Sequence, residues 1–132
     1  MSVNKTALIV DAWAQPATKE AMEKLPEVVR LFKQSGSSSV METGMTTEQI
    51  IESMDRAGIQ KLMLSAWHRP GQWVYHNDDV AEMVSRYPDR FAGVAAVNLE
   101  KPVEAVRELE RAGRRSAIKS PTNTQKPRAI SG

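Results

Sequence analysis

The feature that most constrains the fold is a short apolar run followed by a stretch of helical periodicity, an arrangement that occurs three times. The apolar runs are residues 6–12 (TALIVDA), 59–66 (IQKLMLSA) and 91–98 (FAGVAAVN). Short continuous runs of this kind are typical of strands that are buried on both faces of a parallel sheet. The order strand, helix, strand, helix, strand, helix indicates right-handed βαβ units. The sequence therefore predicts an α/β fold.

The clearest helix is predicted just before the second run. Residues 46–49 (TTEQ) have the spacing of a capping box, and Gly58 suits the left-handed position after a helix. Residues 17–36 predict two further helical pieces, with Pro26 in the first turn of the second and Gly36 at its end. The buried stripe of the capped helix is predicted to be Ile50, Ile51, Met54 and Ala57.

Two more helices are predicted to follow the second and third runs. Asn77 is predicted to cap the first of these helices, and Pro88 to stop it. The second is predicted to run from Pro102 to Gly113. The inward residues of the first are predicted to be Val80, Met83 and Val84.

Size and composition indicate a single globular domain in the cytoplasm. The chain has 132 residues, of which 41% are hydrophobic and 26% charged. No apolar run approaches the roughly 18 residues of a membrane span, and the N-terminus lacks the pattern of a signal peptide. The absence of cysteine excludes disulfides, thiolate nucleophiles and cysteine-bound metals.

Charge divides the chain into two parts. Residues 1–112 hold 13 Lys or Arg against 16 Asp or Glu, whereas residues 113–132 hold five Lys or Arg and no acid. The second part also has two prolines, many small polar residues and no apolar periodicity. We therefore predict a folded part over residues 1–112 and a basic, disordered tail over residues 113–132.

Candidate site residues follow each predicted strand, because ligands bind at the carboxyl ends of parallel strands. They are Trp13, Gln15, Trp67, His68, Arg69, Asn98 and Glu100. A tryptophan in such a position is more often a cap over the core than a substrate contact. His68 suits either a functional role or a place on a polar rim. His76 is predicted to lie at a helix start, and the spacing of the two histidines does not suit a shared metal.

Three segments carry a family resemblance. ALIVDAWAQP, MTTEQIIESMDRAGIQKLMLSAWHRPGQWV and NDDVAEMVSRYPDRFAGVAAVNLEKPVEAVRELERA resemble the opening third of an amidohydrolase-related protein of the aminocarboxymuconate-semialdehyde decarboxylase type. The resemblance covers residues 6–112, and RYPDRFAGVAAVNL is its most specific part. It implies a (β/α)8 TIM barrel that hydrolyses or decarboxylates small carboxylic acids. It also implies a divalent metal in full-length relatives, usually zinc, held by two histidines after the first strand and by later ligands.

The sequence departs from this family at the first ligand pair. In the family an aspartate is followed by a His-x-His ligand pair, but the matching residues here are Asp11 and, at the two ligand positions, Trp13 and Gln15. An indole N–H is only a donor, and an amide oxygen is a weak neutral ligand. We therefore expect no metal ligand and no cofactor in this chain.

The second departure is the end of the resemblance at Ala112. A TIM barrel needs about 250 residues, so three βα units form an incomplete barrel. Either a shifted reading frame or mis-joined gene produced the tail, or the protein is naturally short with a flexible basic tail. In both cases the predicted sheet has two unpaired edges, and we expect self-association.

Two classes of function remain open. In the first, the chain is a truncated member of this enzyme family, inactive alone, whose relatives bind a small carboxylate. His68 and Arg69 are then the predicted catalytic residues, for proton transfer and carboxylate binding, while Trp13, Gln15 and Trp67 are predicted to contact substrate. In the second, the chain is a non-catalytic protein whose tail binds an acidic partner. Five charges without aromatic residues are weak evidence for nucleic-acid binding, and no membrane partner is expected.

Overall fold

The computed structural model describes residues 7–36, 39 and 43–115. We number the elements in chain order within each type. The strands are β1 (Val10–Ala14), β2 (Lys61–Ser65), β3 (Trp67–Arg69), β4 (Gln72–Tyr75) and β5 (Phe91–Val94). The helices are α1 (Lys19–Lys24), α2 (Pro26–Gln34), α3 (Thr47–Ala57), α4 (Asn77–Arg86) and α5 (Pro102–Arg114).

A three-stranded parallel sheet in the order β1, β2, β5 organises the fold. Asp11 is paired with Leu62 across β1 and β2, and Leu64 is paired with Gly93 across β2 and β5. Helices connect these strands, as βαβ units require. The predicted α/β fold is confirmed.

The main core lies between one face of this sheet and the helices. Residues alternate along β2, with Leu62 and Leu64 buried and Met63 between them only half-buried. Phe91 on the neighbouring strand is 1% exposed. The helices contribute Ile50 and Met54 from α3 and Val80, Met83 and Val84 from α4. The helices therefore cover one face of β2 and β5, and the prediction for the inward residues of α4 is confirmed.

Helix α3 begins with the predicted capping box. The Gln49 N–H donates to the Thr46 hydroxyl at 3.2 Å, and the Thr46 N–H donates to the Gln49 side chain at 2.9 Å. Gly58 ends the helix with a φ of 73°, in the left-handed region. Ala57, the last helical residue, is exposed, so the prediction of its burial was wrong. The buried stripe ends one turn earlier, at Met54.

The first strand begins later than predicted and is not buried on both faces. β1 starts at Val10, and Thr6 lies outside the described residues. Leu8, Ile9 and Val10 are 66%, 52% and 40% exposed. The prediction of a doubly buried strand was wrong because β1 is an edge strand of the described sheet.

An antiparallel hairpin of β3 and β4 was not predicted. Its turn is formed by Pro70 and Gly71, and Gly71 has a φ of 75°. Val74 and Tyr75 pack with α1 in a second apolar cluster. The Tyr75 hydroxyl donates to the backbone oxygen of Pro16, and burial raises the pKa of Tyr75 to about 12.

The ends of α4 and α5 differ by one or two residues from the prediction. His76, not Asn77, is the N-cap of α4. Helix α5 continues through Gly113 to Arg114, across the predicted boundary between residues 112 and 113. Residues 116–132 lie outside the described residues, so the domain division stays a prediction. In the described ranges, no helix is long and apolar enough to cross a membrane.

Candidate functional site

The loop after β1 carries two of the predicted site residues. Trp13 is 74% exposed at the carboxyl end of the strand, and Gln15 follows it and is exposed. The Trp13 N–H donates to the Asp11 carboxylate at 3.1 Å, which shapes the loop as a local turn. The indole of Trp13 is thus presented at the end of the sheet where parallel-sheet proteins bind ligands.

Three rings form a row on the hairpin. The ring of Trp73 lies 4.8 Å from the ring of His68 and 4.7 Å from the ring of His76, measured between centroids. His68 and Trp73 are cross-strand partners, so the hairpin register places their side chains together. Trp73 was not among the predicted site residues, although the period-two pattern on either side of Pro-Gly was a signal for a hairpin.

The guanidinium of Arg69 faces the other side of the hairpin. It donates to Glu27 at 2.7 Å, to the backbone oxygen of Lys24 at 3.0 Å, and to the Gln72 side chain at 2.9 and 3.1 Å. These hydrogen bonds hold the hairpin against the junction of α1 and α2. A carboxylate bound by Arg69 lies on that side, away from the ring of His68.

A cleft of about 640 Å³ lies between the hairpin and α5. The lining residues are His68, Gly71, Trp73, His76, Asn98, Glu100, Lys101, Glu104, Ala105, Arg107, Glu108 and Arg111. Among the predicted residues, the cleft brings His68 together with Asn98 and Glu100. Arg69, Trp13 and Gln15 are not part of its lining, and Trp67 packs on the second apolar cluster.

The base of the cleft is a polar network around Asn77, which is fully buried. Its side-chain amide donates to the oxygen of Ala96 at 2.9 Å and to Glu108 at 2.8 Å, and its oxygen accepts from the Ala96 N–H at 2.9 Å. Glu108 also accepts from Arg111 at 2.7 Å. The hydrogen bond from Arg111, with a second from Asn77, lowers the pKa of Glu108 to about 2.

Ion pairs extend this network to the start of α4. Arg111 lies 2.9 Å from Asp78, and Arg115 lies 2.7 Å from the same carboxylate oxygen. The hydrogen bond from Arg111 and the charges of both arginines lower the pKa of Asp78. The sequence prediction missed Asn77, Glu108 and Arg111 as a group, because they meet only through the packing of α4 against α5.

His76 lies at the start of α4, as predicted, and its side chain caps the helix. The ring Nδ1 of His76 accepts a hydrogen bond from the backbone N–H of Asp78 at 3.2 Å. The backbone N–H of His76 donates to the side-chain carboxylate of Asp79 at 3.0 Å. These two bonds form a capping box. The side chain therefore satisfies the first turn of α4 and also supports the ring of Trp73.

The residues after β1 do not fit a metal centre. The one carboxylate there, Asp11, accepts from the Trp13 N–H, and an indole cannot donate an electron pair to a metal. Within residues 7–36, 39 and 43–115, no group of three His, Cys, Asp or Glu side chains is placed to hold a metal ion. The side chains at positions 13 and 15 therefore lack the strong donor atoms that a metal ion needs.

Sequence comparison finds no matching family model and no matching curated protein. Solved structures do match. One is an uncharacterised TIM-barrel protein from Bordetella bronchiseptica, with a TM-score of 0.66 and 20% identity over 86% of this chain and 43% of that chain.

Two decarboxylases match over similar lengths. A 5-carboxyvanillate decarboxylase from Novosphingobium aromaticivorans, complexed with manganese and 4-hydroxy-3-methoxy-5-nitrobenzoic acid, has a TM-score of 0.64 and 23% identity over 89% of this chain and 41% of that one. A dihydroxybenzoic acid decarboxylase from a Polaromonas species, with manganese and the inhibitor 2-nitroresorcinol, has a TM-score of 0.60 and 20% identity over 87% of this chain and 37% of that one.

These likenesses establish the fold. The chain spans about two fifths of the length of the solved barrels that it matches. Its parallel strands and connecting helices agree with the incomplete barrel predicted from the sequence. The described residues therefore have the fold of part of a TIM barrel, like that of the solved Bordetella protein.

Proposed function

We propose that this chain carries substrate-facing loops of an enzyme that hydrolyses or decarboxylates a small carboxylic acid. The observation that carries the proposal is the parallel order β1, β2, β5, which brings the loops after all three strands to one end of the sheet. TIM-barrel enzymes place their active sites at that end. The match to decarboxylases of this fold supports the same class of substrate.

His68 is the proposed proton-transfer residue. It borders the cleft, and its ring contacts Trp73 at its edge. Among the described residues, neither ring nitrogen of His68 has a hydrogen-bond partner, so both remain available to a ligand. An imidazole with two free ring nitrogens suits general acid or base chemistry.

Arg69 is the proposed carboxylate ligand, and it must release Glu27 to act as one. The Arg69–Glu27 pair is partly exposed, with the two side chains 34% and 56% accessible. Exposed ion pairs stabilise a folded chain only weakly, so exchange of the Glu27 carboxylate for that of a substrate costs little. His68 and Arg69 face opposite sides of the hairpin. Both therefore contact the same substrate molecule only if the hairpin rotates relative to α1 and α2.

Trp13 and Gln15 are the proposed substrate contacts after β1, and Trp67 supports the loop after β2. Trp13 offers an exposed aromatic surface, whereas Trp67 is half-buried against the second cluster. Because the side chains after β1 do not suit a metal ion, we propose that Arg, His and Gln side chains polarise the substrate. We propose that the 132-residue chain binds such an acid weakly and does not turn it over.

Indole NMR signals test this proposal directly. Titration with 4-hydroxy-3-methoxy-5-nitrobenzoic acid is expected to shift the indole N–H signal of Trp13 and the imidazole signals of His68. The matched compound without its carboxylate is expected to shift them much less, and Arg69→Gln is expected to weaken binding of the acid several-fold. Identical shifts with both compounds, or none at millimolar acid, would contradict the proposal.

The basic-tail alternative stays a prediction. The tail residues 116–132 lie outside the described residues, and no described feature favours binding to an acidic partner. A salt titration of binding to arbitrary DNA tests it, because sequence-independent contacts weaken steeply with salt.

A further inference from the structure

The cleft between the β3–β4 hairpin and α5 is bordered by side chains that the proposed function does not use. One wall is the row of rings on the hairpin, and the other is α5 with the residues just before it. The volume of about 640 Å³ lies within the range of about 300–1,000 Å³ of small-molecule pockets. Arg69 and Trp13, which the proposed function assigns to an acid, lie outside this lining, and His68 is common to both.

The hairpin wall offers an aromatic surface. The ring of Trp73 lies between those of His68 and His76, at centroid distances of 4.8 and 4.7 Å, and these neighbours restrict its orientation. Trp73 is half-buried and borders the cleft. Gly71 and Ala105 also border it, and their lack of bulk leaves room for a flat group beside the indole. Aromatic rings attract one another in offset-stacked or edge-to-face contacts, so this wall suits an aromatic ring.

The α5 wall is rich in charged groups but has no net charge. Two of its cations are paired with two of its carboxylates. Lys101 lies 3.3 Å from Glu104, and Arg111 lies 2.7 Å from Glu108. The remaining charged groups of the lining are one arginine and one glutamate. Such a wall favours a ligand whose own charges balance, because a net charge on the ligand leaves one of these two groups unmatched.

These two residues, Arg107 and Glu100, have no partner within residues 7–36, 39 and 43–115. Neither side chain makes a hydrogen bond or an ion pair there, although the backbone N–H of Glu100 donates to the Asn98 side chain. Arg107 lies in the second turn of α5, and Glu100 lies just before the first turn. The wall therefore presents an unpaired positive group and an unpaired negative group at different levels along the helix.

We propose that the cleft binds a small zwitterion that carries an aromatic ring, which is the chemistry of a free aromatic amino acid. The carboxylate of the ligand accepts hydrogen bonds from the Arg107 guanidinium, and its ammonium donates to the Glu100 carboxylate. Its ring packs on Trp73. A simple acid leaves Glu100 without a partner, and a simple amine leaves Arg107 without one. The two unpaired charges therefore select a ligand that has both.

Titrations with phenylalanine and two truncated analogues test the proposal. 3-Phenylpropanoate keeps the ring and the carboxylate but lacks the ammonium, whereas 2-phenylethylamine keeps the ring and the ammonium but lacks the carboxylate. The indole N–H signal of Trp73 in NMR spectra of the full chain reports binding in the cleft. Phenylalanine is expected to bind several-fold more tightly than either analogue.

Two single variants assign each charge to its partner. In Arg107→Gln, phenylalanine is expected to lose its preference over 2-phenylethylamine and to keep its preference over 3-phenylpropanoate. Glu100→Gln is expected to give the reverse. Both residues are exposed, so circular dichroism is expected to match that of the unchanged chain. Arg114→Gln and Glu110→Gln are the matched controls, because these residues form an exposed ion pair on α5 outside the lining.

Four outcomes would overturn the proposal. One is no shift of the Trp73 signal at millimolar phenylalanine. Another is equal affinity of the unchanged chain for phenylalanine and either analogue. The third is persistence of both preferences in Arg107→Gln and Glu100→Gln. The last is a comparable loss in the control variants, which indicates a general effect of charge.

The cleft site does not depend on the proposed function, and the two can fail separately. Trp13 lies outside the cleft, so its indole signal reports the acid of the proposed function, whereas the Trp73 signal reports the zwitterion. An acid that shifts Trp13 while phenylalanine leaves Trp73 unchanged rejects the cleft site alone. The opposite result rejects the proposed function alone.

Discussion

Asn77 illustrates, at the scale of one residue, what local sequence patterns do not reveal. Its neighbours suggested a helix cap, but the cap is His76, and Asn77 joins α4 to the loop after β5 and to α5. All of its side-chain hydrogen bonds connect residues 19 or 31 positions away. Such contacts depend on tertiary packing, so a helix-start pattern cannot predict them.

Replacement of Asn77 by Ala is therefore expected to destabilise the fold. It leaves the Ala96 N–H without its partner, and an unsatisfied buried group costs about 1–3 kcal/mol. Urea denaturation measures the loss in unfolding free energy. Asn98→Ala is the control, since the Asn98 side chain accepts a local bond from the Glu100 N–H and makes no long-range hydrogen bond with the described residues. Equal losses in the two variants would show that the buried network contributes nothing specific.

Glu108 gives the network a dependence on pH. Its pKa in the folded chain is about 2, below the ordinary value of 4.5 for a glutamate, because Arg111 and Asn77 donate hydrogen bonds to the carboxylate. A lowered pKa in the folded state stabilises the fold above the unfolded pKa, and this contribution disappears as the pH falls toward 2. The stabilisation is therefore complete near neutral pH.

Glu108→Gln is expected to lower the unfolding free energy at pH 6–7, and the difference is expected to shrink below about pH 4.5 and to vanish as the pH approaches 2, because the unfolded chain takes up the proton first. Denaturation at a series of pH values measures the difference. Glu110→Gln provides a control on the same helix, where the Glu110 side chain is 61% accessible. A constant difference between pH 7 and pH 3 would contradict the account of Glu108.

At the scale of elements, the sequence predicts best where the signal is local. The Thr46 capping box and Gly58 define α3 because all their contacts lie within the helix and its ends. The limits of β1 were harder to predict, since the apolar run at residues 6–12 does not reveal that the strand is at an edge. The hairpin was missed because its tryptophans and histidines were interpreted as loop residues, despite the Pro-Gly turn signal.

Alanine substitutions at two glycines test this description of the elements, because one glycine is required by a turn and the other weakens a helix. Gly71 has a φ of 75° in the hairpin turn, and no atom lies within 4 Å of an added Cβ. Gly71→Ala is thus expected to cost about 1–2 kcal/mol through backbone strain alone. Gly113 lies within α5 with equally open surroundings, so Gly113→Ala is expected to stabilise by about 0.5–1 kcal/mol.

Thermal and urea denaturation measure the unfolding free energy of both glycine variants. Hydrogen exchange shows which strands or helices lose protection. For Gly71→Ala, the loss of protection is expected in β3 and β4, with the parallel sheet little affected. Stabilisation by Gly71→Ala, or destabilisation by Gly113→Ala, would show that the turn or the end of α5 differs from the structure.

At the scale of the whole molecule, the sheet explains both what was predicted and what was not. The α/β class and the incomplete barrel follow from the order of apolar runs and amphipathic helices. The position of His68 and Arg69 on opposite sides of a hairpin does not follow from that order. It follows from their being neighbours in a strand, and the order of apolar runs does not predict a strand at these residues. The site is therefore less predictable than the fold.

The central claim is that this chain forms an open parallel sheet, β1–β2–β5, with the geometry of part of a barrel. Nuclear Overhauser contacts between backbone protons of an isotopically labelled chain, recorded at low concentration, test it most directly. The account predicts parallel contacts linking Asp11 with Leu62 and Met63 with Ala92. Antiparallel contacts between β2 and β5, or the absence of contacts between β1 and β2, would contradict it.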